Sequence, residues 1–148
     1  MKNNKRGVTL IELLVVFAII AIGSLLAVPN IGPWIANYRL RTATRDITST
    51  LRVAQMRAVT NNVNYRVLFD TGAGTYVLQR NTGGPSWWAE GTAQTLPTGI
   101  RIDPAPVNNP VTFSPNSSSN GGIITLKNTK NTQRTISVLP STGRITSQ

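Results

Sequence analysis

The sequence predicts an α+β fold, with a long N-terminal helix whose first half spans a membrane and whose second half packs on a C-terminal antiparallel β-region. Three observations carry this. An apolar run fills residues 8–28, an amphipathic helical pattern follows to about residue 60, and the rest of the chain consists of β-branched segments cut by turn residues.

Residues 5–17 read KRGVTLIELLVVF, and the apolar run continues to Val28. At about 21 residues it is long enough to cross a bilayer as a helix. Lys2, Lys5 and Arg6 precede it and hold the N-terminus on the cytoplasmic side, so the chain beyond Pro29 lies on the opposite side. Glu12 is the only charged residue in the run. A carboxylate there costs about 2.5–3.5 kcal/mol on insertion scales, which calls for a partner. Cutting the chain after Gly7 creates one, the new amine on Val8, about 6 Å of helix rise from Glu12. The competing reading is an ordinary secretory signal. That would have a shorter apolar region, no internal Glu and a small-residue cleavage site, whereas Ala27 is followed here by Val28-Pro29.

Pro29 and the pair Gly32-Pro33 predict a kink or local unwinding, because each proline removes a helix hydrogen bond. Beyond them Ile35, Leu40, Ala43, Ile47, Leu51, Ala54 and Ala58 form one apolar stripe of an amphipathic helix. The stripe is rich in Ala, which suits close approach to a sheet. Arg39, Arg41, Arg45, Arg52 and Arg57 lie mostly off it, as a solvated face or a binding row, and Asn61-Asn62 ends the helix.

Residues 63–69 and 75–80 are β-branched and aromatic around a turn of Asp, Gly and Ala, and predict a hairpin. One carboxylate, Asp70, is too few for a calcium loop. Further strands are predicted at residues 100–102, 111–113, 122–127 and 134–139. Residues 81–93 and 114–121 read as long loops, the second a mobile surface tract. The apolar face of such a sheet needs a cover, and the helix stripe supplies it. Trp87-Trp88 in the first loop offers two readings: both cap the core, or one is buried and the other faces a partner.

Composition bounds the function. The 148 residues suit one domain plus an anchor. There is no Cys and no His, so thiolate chemistry and the usual general base are missing. The five acids, Glu12, Asp46, Asp70, Glu90 and Asp103, are scattered singly, without a catalytic pair or a metal-binding cluster. Neither catalysis nor a cofactor is expected. The formal charge is +10, and loss of Lys2, Lys5 and Arg6 leaves +7 on side chains. That balance favours acidic partners such as nucleic acid, anionic lipid or an acidic protein surface.

The segment Arg6-Gly7-Val8-Thr9-Leu10-Ile11-Glu12 resembles the class III leader site of type IV pilins and pseudopilins. The resemblance implies cleavage between Gly7 and Val8 by a prepilin peptidase and N-methylation of Val8, although the family usually carries Phe at that position. It also implies subunit assembly through Glu12 and a helix-breaking Pro29. The sequence LRVAQMRAVTNNV at residues 51–63 is similar to the helix-end signature of H-type minor pseudopilins and FimT-like minor pilins. LPTGI at 96–100, VTFSP at 111–115, GGIITL at 121–126 and GRI at 143–145 agree with it.

The resemblance covers nearly the whole chain. It implies a leader at residues 1–7, a transmembrane helix at 8–28, an amphipathic continuation at 29–60 and a periplasmic β-domain of two antiparallel sheets at 61–148. The implied protein is a low-abundance structural subunit of a type II secretion pseudopilus or a type IV pilus. It would sit once across the bacterial inner membrane, with a short cytoplasmic N-terminus, before joining a periplasmic or surface filament of other pilins or pseudopilins. Some FimT-like members act in DNA uptake through a C-terminal Gly-Arg-x-Arg element. This chain reads Gly143-Arg144-Ile145-Thr146, an incomplete version, with Lys127, Lys130 and Arg134 nearby as candidates for a basic DNA-binding patch.

Overall fold

The computed structural model describes residues 8–27, 32–81 and 83–148. Gly7, Pro29 and the basic residues Lys2, Lys5 and Arg6 lie outside them. The chain divides into two units between Gly32 and Pro33, each described by itself below.

In the first unit, helix α1 runs from Leu10 to Ala27. Thr9 caps it: its Oγ1 accepts a hydrogen bond from the Glu12 N–H at 3.3 Å, and its carbonyl accepts one from Leu13 N–H. Thr9-x-x-Glu12 has the residue types of a capping box, and the threonine half of it is formed. Ser24 satisfies its own hydroxyl by donating to the Ile20 carbonyl at 2.7 Å. The large apolar side chains from Leu10 to Ile22 are exposed around the helix. A helix apolar on all sides requires an apolar environment that the described residues do not supply. Among the described residues no helix is long and apolar enough to cross a membrane. The 18 residues of α1 rise about 27 Å against a hydrocarbon core of about 30 Å, while the apolar run of the sequence extends beyond the helix at both ends.

The second unit holds helix α2, Gly32–Asn61, from Pro33 onward. Gly32-Pro33 stands at the start of α2, a position where proline is well tolerated, and the predicted kink or local unwinding falls on the stretch just before it, outside the described residues. The predicted stripe is buried from Leu40 through Ala58, with Ile35 only half-buried at its edge. Thr44 and Thr48 share the buried face because their hydroxyls donate to the Leu40 and Thr44 carbonyls, both at 2.7 Å. Asn62 terminates the helix in the left-handed region at φ 54°.

Two antiparallel sheets follow. The first contains β1 (Tyr65–Asp70), β2 (Thr75–Asn81), β3 (Trp87–Ala89), β4 (Gln94–Thr95) and β6 (Val111–Phe113), in the order β3-β2-β1-β6 with β4 also on β2. The second contains β5 (Arg101–Ile102), β7 (Gly122–Lys127), β8 (Gln133–Val138) and β9 (Ile145–Ser147), in the order β5-β7-β8-β9. Alternate residues point inward, so Tyr65, Val67, Phe69, Val111 and Phe113 meet Ile124, Leu126, Ile136 and Val138 with the α2 stripe in one core.

The structure corrects three expectations. The predicted loop at 81–93 contains β3 and the approach to β4, held by ladder bonds to β2 that no local pattern announces. Strand β9 was not predicted either; at three residues it is too short to show a period. The tract at 114–121 is tied down at many points: Ser114 N–H bonds the Ser118 carbonyl, Ser119 N–H the Pro140 carbonyl, and Asn120 bridges Thr112 and Pro110.

Candidate functional site

Glu12, the residue the sequence singles out, sits in the first turn of α1. The partial positive charge of a helix N-terminus favours an acidic side chain there. With the Thr9 cap, this gives Glu12 a local structural role beside any partner. Ile11 and Leu13 beside it are exposed, 71% and 51%. The carboxylate thus stands in an apolar surface without a cation from the rest of the described chain.

In the second unit the polar chemistry gathers at Glu90. Its carboxylate accepts from the Tyr65 hydroxyl at 2.9 Å, pairs with Arg57, and lies 3.9 Å from Arg80. Asn61 donates to the same tyrosine hydroxyl at 2.7 Å. One acid therefore joins the C-terminal end of α2 to β1, β2 and the segment after β3. The sequence had counted Glu90 only as an isolated acid, and no spacing signals the hub. Nearby, between the pairs Tyr76–Gln94 and Gln79–Ala89, two residues of β2 face four of the β3–β4 segment, and the extra ones include Gly91 at φ 90°. This bulge opens a shallow groove against α2, lined by Thr50, Val53, Arg57, Leu78, Glu90 and Gln94 among others. Tyr76 borders it; burial pushes its phenol above the ordinary range, and its hydroxyl donates to Gln94 Oε1 at 2.7 Å.

The candidate DNA-binding cations lie on different faces and ends of the β7–β8 pair. Lys127 on β7 is held by Asp103 at 3.3 Å, which also pairs with Arg101 at 3.4 Å. These cations hold the Asp103 carboxyl below its usual range, Lys127 contributing most. Arg134 stands opposite Leu126 on the inward side of β8, whereas Lys127 stands opposite Gln133 on the outward side. Lys130 precedes β8 and Arg144 follows it, at opposite ends of a six-residue strand of about 20 Å.

Trp87 and Trp88 split as adjacent strand residues must: Trp87 is half-buried under the Arg66 guanidinium, 4.1 Å from its ring centre, and Trp88 is 64% exposed. The Asp70 carboxylate serves its own turn, its Oδ1 accepting from Ala73 N–H at 2.9 Å. Among the described residues no cluster of acids could hold a metal ion.

Comparison with known proteins matches this geometry. Residues 2–28 match the family model described as a prokaryotic N-terminal methylation motif. Residues 43–142 match that of the type II transport protein GspH. Curated proteins yield no match. Among solved structures, the minor pseudopilin EpsH from the type 2 secretion system of Vibrio cholerae superposes with a TM-score of 0.64 at 11% identity, over 74% of this chain and 96% of its own. The type IV minor pilin FimU of Pseudomonas aeruginosa gives 0.62 at 13% identity, over 78% and 92%. GspH of E. coli gives 0.59 at 14%, over 76% and 89%. At such identities the likeness is one of fold, a long helix on antiparallel sheets, and the family rests on the sequence match over two thirds of the chain. By that match the chain belongs to the family of the type II transport protein GspH.

Proposed function

We propose that the chain is a membrane-anchored precursor, cut between Gly7 and Val8 by a prepilin peptidase and methylated on Val8. Its mature form, residues 8–148, then joins other pilins or pseudopilins in a type II secretion pseudopilus or a type IV pilus. It waits in the inner membrane with its β-domain in the periplasm, and acts as a structural subunit rather than an enzyme. The observation that carries this is α1: a capped helix, apolar on every side, with one acid in its first turn. Such a surface is stable in lipid and equally stable against other helices of its kind, so a subunit can pass from one to the other at small cost.

Glu12 supplies register. The amine of Val8 on an adjacent subunit neutralises it, and two charges buried together cost far less than either alone. Removing one member of a buried pair costs about 3–5 kcal/mol.

The test separates pairing from capping. Glu12→Ala and Glu12→Gln are expressed as full-length chains, and membrane insertion is compared with incorporation into filaments by cross-linking. Both variants are expected to insert and both to be lost from filaments, because glutamine restores the capping acceptor but not the charge. Normal incorporation of Glu12→Gln would show that the cap, not the ion pair, is what Glu12 provides.

A further inference from the structure

The first turns of α2 carry an exposed stripe that neither the core nor the polar hub uses. Trp34, Tyr38, Arg41 and Arg45 recur at spacings of four, three and four residues, which places them on one side of the helix. Trp34 and Tyr38 are 69% and 60% exposed, and their rings stack at 5.8 Å with an 18° tilt. Arg41 lies against the same shallow hollow as the two rings and Asn37. Among the described residues neither Arg41 nor Arg45 has an acidic partner.

We propose that this stripe is a membrane-interface anchor, seating the start of α2 among phospholipid headgroups while the subunit waits for assembly. The inference rests on the membrane-anchored reading above and adds where the anchor ends. Trp34 follows the apolar run by six residues. Six residues reach at most about 20 Å even when fully extended, so Trp34 lies no further than that from the end of the apolar run. Tryptophan and tyrosine concentrate at that surface because their rings favour the acyl boundary and their N–H and O–H groups favour water. Arginine adds attraction to anionic headgroups while its stem lies along the apolar layer. A second copy of the chain fits the stripe less well. It offers few carboxylates, and of these Glu90 and Asp103 are already paired.

The chain has three tryptophans, which makes the test direct. Full-length protein with Trp87→Phe and Trp88→Phe is reconstituted in phosphatidylcholine vesicles with and without phosphatidylglycerol, leaving Trp34 as the sole emitter. Vesicles brominated near the headgroup are compared with vesicles brominated near the acyl end. Should that variant fold poorly, the difference between the wild-type chain and Trp34→Phe isolates the same signal.

Headgroup-side bromines are expected to quench Trp34 at least about twofold more than deep ones, with the preference strengthened by phosphatidylglycerol. Arg41→Ala with Arg45→Ala is expected to abolish the phosphatidylglycerol effect. Emission untouched by either bromine position overturns the proposal. Flotation of the same vesicles distinguishes the two failures. A chain that floats with an unquenched Trp34 sinks the interface alone, and one that does not float sinks the anchored reading with it.

Discussion

Glu12 and Asn128 show how single polar residues hold two different kinds of position. Glu12 is tolerated at the head of an apolar helix because Thr9 closes the turn beneath it and the helix terminus favours its charge. Those two effects are local, whereas the ion pair proposed for it needs a second chain, which is why alanine and glutamine variants give different information. Asn128 is the counterpart in the β-domain, 1% exposed at the β7–β8 turn. Its Oδ1 accepts from the N–H groups of Lys130 and Thr132, both at 2.9 Å, and its Nδ2 donates to Asn37 of α2 at 3.0 Å. Asn128→Ala leaves those backbone donors without an acceptor. It is expected to destabilise the domain by about 1–3 kcal/mol, read as a lower urea midpoint with unchanged slope.

At the scale of the element, α2 is the member on which the β-domain depends. Its buried face is thin, and Leu51 and Ile47, both 0% exposed, are its largest core side chains besides Leu40. Leu51→Ala is expected to cost about 2–5 kcal/mol, because the neighbouring alanines cannot move to fill the gap. Denaturant titration of the full chain in detergent micelles measures this. Since α1 belongs to the other unit, insertion into membranes should be unaffected. The same close packing explains why Gly143 stands where it does. With φ 60°, a Cβ there would lie 2.4 Å from the Ser117 carbonyl oxygen and 2.6 Å from Nε2 of Gln55, which donates to the Ser117 and Thr142 carbonyls. The tract around Ser117 is thus pinned between α2 and the β8–β9 turn.

Across the whole molecule, the acid response follows from the few carboxylates that have partners. Asp103 has its pKa held down by Lys127 and then Arg101. A carboxyl with a depressed folded pKa contributes stability that is present above its unfolded value of about 3.9 and lost as pH falls through the folded value. Asp103→Asn is therefore expected to flatten the loss of stability below about pH 4. Denaturation midpoints measured at a series of pH values test this, and raised salt should weaken the difference because the pair is exposed.

Much of this molecule was legible in its residues. The apolar run, the stripe from Leu40 to Ala58 and the alternating strands β1, β2, β6, β7 and β8 follow from periods of 3.6 and 2, which depend only on neighbours in the chain. The resemblance to the pilin and pseudopilin family came from Gly7, Glu12 and the helix-end signature, again short-range patterns. What tertiary structure alone decided are the contacts between distant segments. It paired β3 and β4 with β2, and gathered Arg57, Tyr65 and Arg80 around Glu90. It also separated Lys130 from Arg144, so that cations near one another in composition are not one patch. Local sequence encodes which face of an element is apolar. Which partner covers that face is settled only when the second unit closes on its core.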